Sequence, residues 1–78
     1  MGSPIINKVS PPTMSFGEAL NSTIDGDKIT KLEWGDDKVY GYIKDGILTL
    51  HKNDKDFTWA INDGDINGND WVVIGSLN

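Results

Sequence analysis

Apolar positions near the start of the chain repeat with helical spacing. Phe16, Ala19 and Leu20 fall at i, i+3 and i+4, and Ile24 lies one turn beyond Leu20. Ser15 and Glu18 have the spacing of a capping box, in which the Ser15 hydroxyl accepts from the N–H of Glu18 and the Glu18 carboxylate reaches back to the N–H of Ser15. The pattern predicts a short helix over about 16–22, ended by Asp25-Gly26. From Lys28 the period shortens to two. Residues 28–34 read as a strand, but Ile29 and Leu32 have opposite parity, so a bulge or a two-sided strand is expected there.

Turn residues divide the rest of the chain. Gly35-Asp36-Asp37 is a turn, 39–43 a second strand, and Asp45-Gly46 a two-residue hairpin turn in which both residues must tolerate positive φ. Residues 47–51 form a third strand, Asn53-Asp54 a second hairpin turn, and 57–61 a fourth strand. Residues 63–69 read as a polar loop, and 71–74 as a short final strand. The first turn pairs Ile43 with Leu48, Tyr42 with Thr49, Gly41 with Leu50 and Tyr40 with His51. The second pairs Leu50 with Phe57 and Leu48 with Trp59. One face then carries Ile43, Leu48, Leu50, Phe57, Trp59 and Ile61, a core face for the helix to cover. The other carries Tyr40, Tyr42, Thr49, His51 and Thr58, which suits a wet interface or a ligand. The expected fold is α+β: one short N-terminal helix packed on a small, strongly bent antiparallel sheet of about four to five strands.

All three prolines lie in residues 1–13, so this segment reads as a flexible arm, a tag remnant or an edge segment, and residues 14–78 as a single domain. A domain of about 65 residues buries only about 60% of the surface its unfolded chain exposes. The chain has no cysteine to form disulfides or thiolate zinc sites, so self-association is the expected support. With a net charge of −5 and no arginine, DNA or RNA held through its phosphates is not expected. No apolar run is long enough for a membrane span.

Asp63-Gly64-Asp65-Ile66-Asn67-Gly68 resembles the first half of a calcium loop, but Ile74 stands where the bidentate Glu is needed. Asp and Asn capping a tight polar turn fit the segment better, and no metal site is expected. His51 is the only histidine and has no cysteine or serine elbow to serve, so it reads as a cross-strand partner for Tyr40. Asp36, Asp37, Asp54 and Asp56 read as solvated turn carboxylates. No catalytic residue is expected, and the chain reads as a non-enzyme without cofactors. Three Trp, two Tyr and two Phe remain, of which Trp59 and Phe57 are the expected core rings.

Three motifs in order carry a family resemblance. Ser15-Phe16-Gly17-Glu18-Ala19-Leu20 resembles an N-terminal signature of a hydroxyl residue followed by Phe-Gly-Glu-Ala-Leu. Gly26 to Trp34 is similar to Gly-Lys-Lys-Val-Ala-Arg-x-x-Trp, with Lys31 in place of Arg. Trp59 to Trp71 is similar to Trp-x-x-Ser-x-x-Asp-x-x-Ala-x-Asp-Trp, with Asn62 for Ser and Gly68 for Ala, while Asp65 and Asp70 match. The family is the type two phage Thoeris anti-defence sponge, formerly a domain of unknown function, and the likeness spans about 14–74.

The resemblance implies a phage protein in the cytoplasm of an infected bacterial host. Such a protein sequesters cyclic ADP-ribose isomers, and in some relatives cyclic oligonucleotides, without cleaving them. It also implies a homo-oligomer, dimer or tetramer, with ligand between subunits. The ligand-binding residues it suggests are Phe16, Gly17, Lys31, Trp34, Tyr40 and Asp70. Phe16, Trp34 and Tyr40 are candidates to stack on a base, and Lys31 and the helix start at Phe16-Gly17 to meet phosphate. Asp70 either binds a ribose hydroxyl or caps the final turn. Lys31 lacks the bidentate fork of Arg, and residues 36–57 form two tight hairpins where other members carry longer loops. The alternative function is an interaction protein that binds a host or virion protein through its aromatic sheet face. A calcium-dependent module is a third.

Overall fold

The computed structural model of the chain describes residues 13–76, so the expected arm, apart from Thr13, lies outside the described residues. Helix α1 (Phe16–Ile24) opens on the expected capping box. The Glu18 N–H donates to Ser15 Oγ at 3.3 Å and the Ser15 N–H donates to Glu18 Oε1 at 3.0 Å. The helix runs two residues past its expected end and stops before Gly26, whose φ of 98° lies in the region that favours glycine. Its buried stripe is Phe16, Ala19 and Thr23, and Ile24 is exposed. The Thr23 hydroxyl donates to the Leu20 carbonyl at 2.6 Å, which lets a polar residue occupy the apolar face.

Strand β1 (Asp27–Lys31) is shorter than expected. The chain leaves it as a 3₁₀ turn, Leu32–Trp34, closed by Gly35 at φ 66°. The turn replaces the predicted end of the strand because residue 70 offers acceptors at the right height. The Leu32 N–H donates to the Asp70 carbonyl at 3.0 Å, and the Glu33 N–H to the Asp70 carboxylate at 2.8 Å. Strands β2 (Tyr40–Lys44), β3 (Ile47–Lys52) and β4 (Lys55–Thr58) form two hairpins in the expected register. Asp45 and Gly46, then Asn53 and Asp54, all have positive φ, as two-residue hairpin turns demand. The Trp59 N–H still donates to the Leu48 carbonyl, at 3.1 Å, but β4 ends three residues before the expected boundary.

The predicted polar loop holds a second short helix, α2 (Asp63–Asn67). A capping box starts it, with the Asp65 N–H on Asn62 Oδ1 at 3.0 Å and the Asn62 N–H on Asp65 Oδ2 at 3.2 Å. Strand β5 (Trp71–Ser76) then returns beside β1. The antiparallel sheet has the order β4-β3-β2-β1-β5 and is not closed into a barrel. The register shifts between the pairs Lys28–Gly75 and Ile29–Val73, where Ile74 of β5 is the extra residue. The opposite parity of Ile29 and Leu32 instead reflects the end of β1 at Lys31 and not a bulge between them.

The core lies between α1 and the β5-β1-β2 part of the sheet. Phe16, Ala19, Ile29, Trp59 and Trp71 form it, with Met14, Leu20, Trp34, Leu48, Leu50 and Val73 packed around them. The expected core face is corrected at its far end, where Phe57 is 48% and Ile61 36% exposed. A nine-residue helix is about 14 Å long. It packs on β1, β5 and β2, and leaves the apolar face of the outer hairpin uncovered beyond Trp59.

Gly41 marks the closest approach. A Cβ at this position would stand 2.7 Å from Trp59 Cε3, so the indole ring lies directly on the strand backbone. Gly41→Ala is expected to destabilise the fold by about 1–3 kcal/mol, the usual penalty for overpacking. Urea denaturation of the two proteins measures it. Gly17→Ala, in helix α1 where a Cβ meets nothing within 4 Å, is expected to change stability in the opposite direction, by up to about 1 kcal/mol.

Candidate functional site

The end of the sheet where β1, β5 and α2 meet gathers most of the aromatic rings. Trp71 is wholly buried, and its indole N–H donates to the Asp65 carbonyl at 3.1 Å. Phe16 lies 5.3 Å from it and Trp34 5.2 Å, both measured between ring centroids. Trp59 lies 5.6 Å from Trp71, 6.1 Å from Trp34 and 5.8 Å from Phe16. Most of these pairs are tilted or edge-to-face, the arrangement that ring quadrupoles favour. Phe16, a stacking candidate, is therefore spent on the core. Trp34 is half-buried and keeps part of its ring open.

Lys31 is buried although it is a cation. Its ammonium lies 2.8 Å from Asp70 and 2.7 Å from Glu33, and its stem passes over Gly68, where a Cβ would come within 2.6 Å of Lys31 Cε. These two carboxylates raise the Lys31 pKa, and the Lys31 ammonium in turn holds the Asp70 carboxyl below its ordinary range. Asp70 thus binds Lys31 and caps the 3₁₀ turn. The helix start is also occupied by a charge of the chain itself, because the Glu18 carboxylate sits on Ser15. Gly17 is exposed beside it.

Tyr40 lies on the opposite face of the sheet from Trp34. Its ring stacks on His51 at 4.8 Å, as the register predicts, and Lys28 Nζ stands 4.9 Å from its centroid. Next to it Asp56 accepts from Tyr42 Oη at 2.8 Å and Lys44 Nζ at 2.9 Å, and pairs with His51 Nδ1 at 2.8 Å. Asp56 is thus not the solvated turn carboxylate that the sequence suggests. It lies on β4 and ties β2, β3 and β4 together across their outer face.

One cleft stands out on the core side of the sheet. It encloses about 490 Å³. Trp34, Val39, Leu50 and Trp59 form its apolar wall, and Lys52, Thr58 and Asn62 give it polar edges. Asp65 also lines it, with its carboxylate turned to the Asn62 N–H. Of the six expected ligand-binding residues only Trp34 contributes. Lys52 is not among the six, although the register carries its signal: it stands two residues beyond Leu50, on the same face of β3. Among the described residues no group of three or more acidic or histidine side chains could hold a metal ion.

Compared with known proteins, the chain matches no protein-family model and no curated protein.

The two anchored carboxyls set an acid dependence. Asp70 is held below the ordinary 3.8 chiefly by Lys31, and Asp56 chiefly by His51 and then by Lys44 and Tyr42. A lowered carboxyl contributes its full stability above its unfolded value and loses it as pH falls through its folded value. Stability is expected to fall as pH drops below 3.8, and less steeply in Asp70→Asn. At neutral pH the same substitution leaves the buried Lys31 with Glu33 alone and is expected to cost about 1–3 kcal/mol, the usual range for losing a charge-assisted hydrogen bond. Denaturation midpoints between about pH 2 and 7 measure both effects.

Proposed function

We propose that the chain is a small binding module that sequesters a cyclic nucleotide signal and does no chemistry on it. This is the role implied by its likeness to the phage anti-defence sponges. In this reading it acts in the cytoplasm of an infected bacterium, as a dimer or tetramer. Among the described residues, no helix is long and apolar enough to cross a membrane. The observation that carries the reading is the cleft beside Trp34. Its size falls within the range of small-molecule sites, and it pairs an apolar aromatic wall with a few polar edges. A purine stacked on an accessible indole gains about 1–3 kcal/mol.

The outer sheet face supports the alternative of a protein partner less well. Tyr40, Tyr42 and His51 already satisfy one another through stacking and through Asp56. A new partner would have to displace those contacts.

The test is titration calorimetry against cyclic ADP-ribose isomers and cyclic di- and trinucleotides, followed by release and chromatography of the ligand. Binding at micromolar dissociation constants or tighter, with intact ligand recovered, is the expected result. Trp34→Leu, which keeps apolar bulk in the core, is expected to weaken that binding about tenfold. A folded protein that gives no heat across the panel, or a ligand recovered cleaved, sinks the proposal.

A further inference from the structure

We infer that Lys52, with Asn62 at the same rim, is the anion-binding edge of the cleft, and that the bound ligand is a purine nucleotide whose base lies on Trp34 and whose phosphate meets Lys52. The inference rests on the binding role proposed above and assigns that role to a specific set of groups.

The charge distribution singles out Lys52. A protein of net charge −5 repels an anionic ligand over most of its surface, so an anion needs a local cation that is not already neutralised. Lys31 holds Asp70 and Glu33, and Lys44 holds Asp56. Lys28 stands over Tyr40 on the other face of the sheet. Glu18 places a carboxylate at the start of α1. Lys38, Lys52 and Lys55 are exposed and have no carboxylate within ion-pair distance among the described residues, and of these three Lys52 is the one that lines the cleft.

Backbone geometry puts its neighbours in place. Leu48, Leu50 and Lys52 alternate onto one face of β3, so the lysine continues the apolar row that ends at Leu50. Thr58 pairs with Thr49, so its side chain belongs to the outer face, and the end of β4 borders the cleft only where the strand gives way to Trp59. Asn62 spends its side-chain oxygen on the Asp65 N–H as the cap of α2, and its amide NH₂ remains a donor at the rim. A cation and an amide donor thus edge a cavity walled by indole and aliphatic side chains, and the Asp65 carboxylate in its lining is held by the Asn62 N–H. This combination suits a flat base carrying a phosphate.

The residue type also sets the selectivity. An ammonium is a point charge on a flexible stem, whereas a guanidinium reads two oxygens in a fixed plane. The cleft is therefore expected to favour phosphorylated purines over the bare nucleoside, and to discriminate weakly among isomers that place the phosphate differently.

Tryptophan fluorescence and two-dimensional NMR titrations with cyclic ADP-ribose, AMP and adenosine test this. The proteins are the full chain, Lys52→Met, Lys52→Arg and, as a control on the other face of the sheet, Lys28→Met. The expected result is that Lys52→Met weakens cyclic ADP-ribose and AMP about three- to tenfold and flattens their salt dependence. Adenosine binding, Lys52→Arg and Lys28→Met should remain close to the parent, and the Trp34 indole and Lys52 amide should shift. Unchanged nucleotide affinity in Lys52→Met, or shifts confined to 14–18, would overturn the assignment while leaving the binding role intact. AMP bound at Trp34 and Lys52 with no cyclic ligand bound would keep the site and end the sponge reading. Failure of all three probes to bind would end both.

Discussion

The helices, the 3₁₀ turn and the β1–β5 side of the sheet meet at Trp71. Its backbone pairs with Lys31 of β1 on one side and bridges Met14 on the other, so it joins the entry into α1 to the centre of the sheet. Its side chain fills the space between Phe16, Trp34 and Trp59, and its single N–H is satisfied by the Asp65 carbonyl of α2. A buried indole without that acceptor would leave an unpaired donor in an apolar setting. The hydrogen bond therefore fixes where α2 sits, and α2 in turn sets the rim of the cleft. A chain this small has few other apolar groups to call on. One large ring in contact with α1, the 3₁₀ turn, Trp59 and α2 serves where a larger protein would use a layer of aliphatic side chains.

Charge is arranged with similar economy. Lys31 is folded under the end of the sheet between two acids, Asp70 and Glu33, and Asp70 also holds the backbone of the 3₁₀ turn. That turn carries Trp34 to the cleft. The position of the accessible indole thus depends on an ion pair beneath it. The lysine that most resembles a ligand-binding cation in the sequence contributes by shaping the wall beside the pocket.

The hairpins are legible in the sequence and the packing is not, for a physical reason. Asp45-Gly46 and Asn53-Asp54 specify their turns locally, and two-residue turns fix register outright. The pairs Tyr40–His51 and Leu50–Phe57 therefore follow from spacing alone. The placement of β5 beside β1, and the exposure of Phe57 and Ile61, depend on how far a nine-residue helix reaches. No local signal encodes that. The 3₁₀ turn after Lys31 is hidden because its acceptor, Asp70, is remote in the chain. α2 is hidden because Asn62 and Asp65 look equally like loop residues and like a capping box. At the site, Trp34 stands out as an isolated aromatic, while Lys52 emerges only when one strand face is traced to its end.

The contact of Trp59 with Gly41 has a consequence for how such a sequence can diverge. The indole occupies the volume that any side chain at 41 would need. The two positions therefore cannot drift separately. A larger residue at 41 becomes tolerable only after 59 has shrunk, and a shrunken 59 removes part of the cleft wall. Backbone and pocket are locked into one unit of change, so lineages that alter this pocket would be expected to do so at its polar edge, through positions 52 and 62, before touching its aromatic wall.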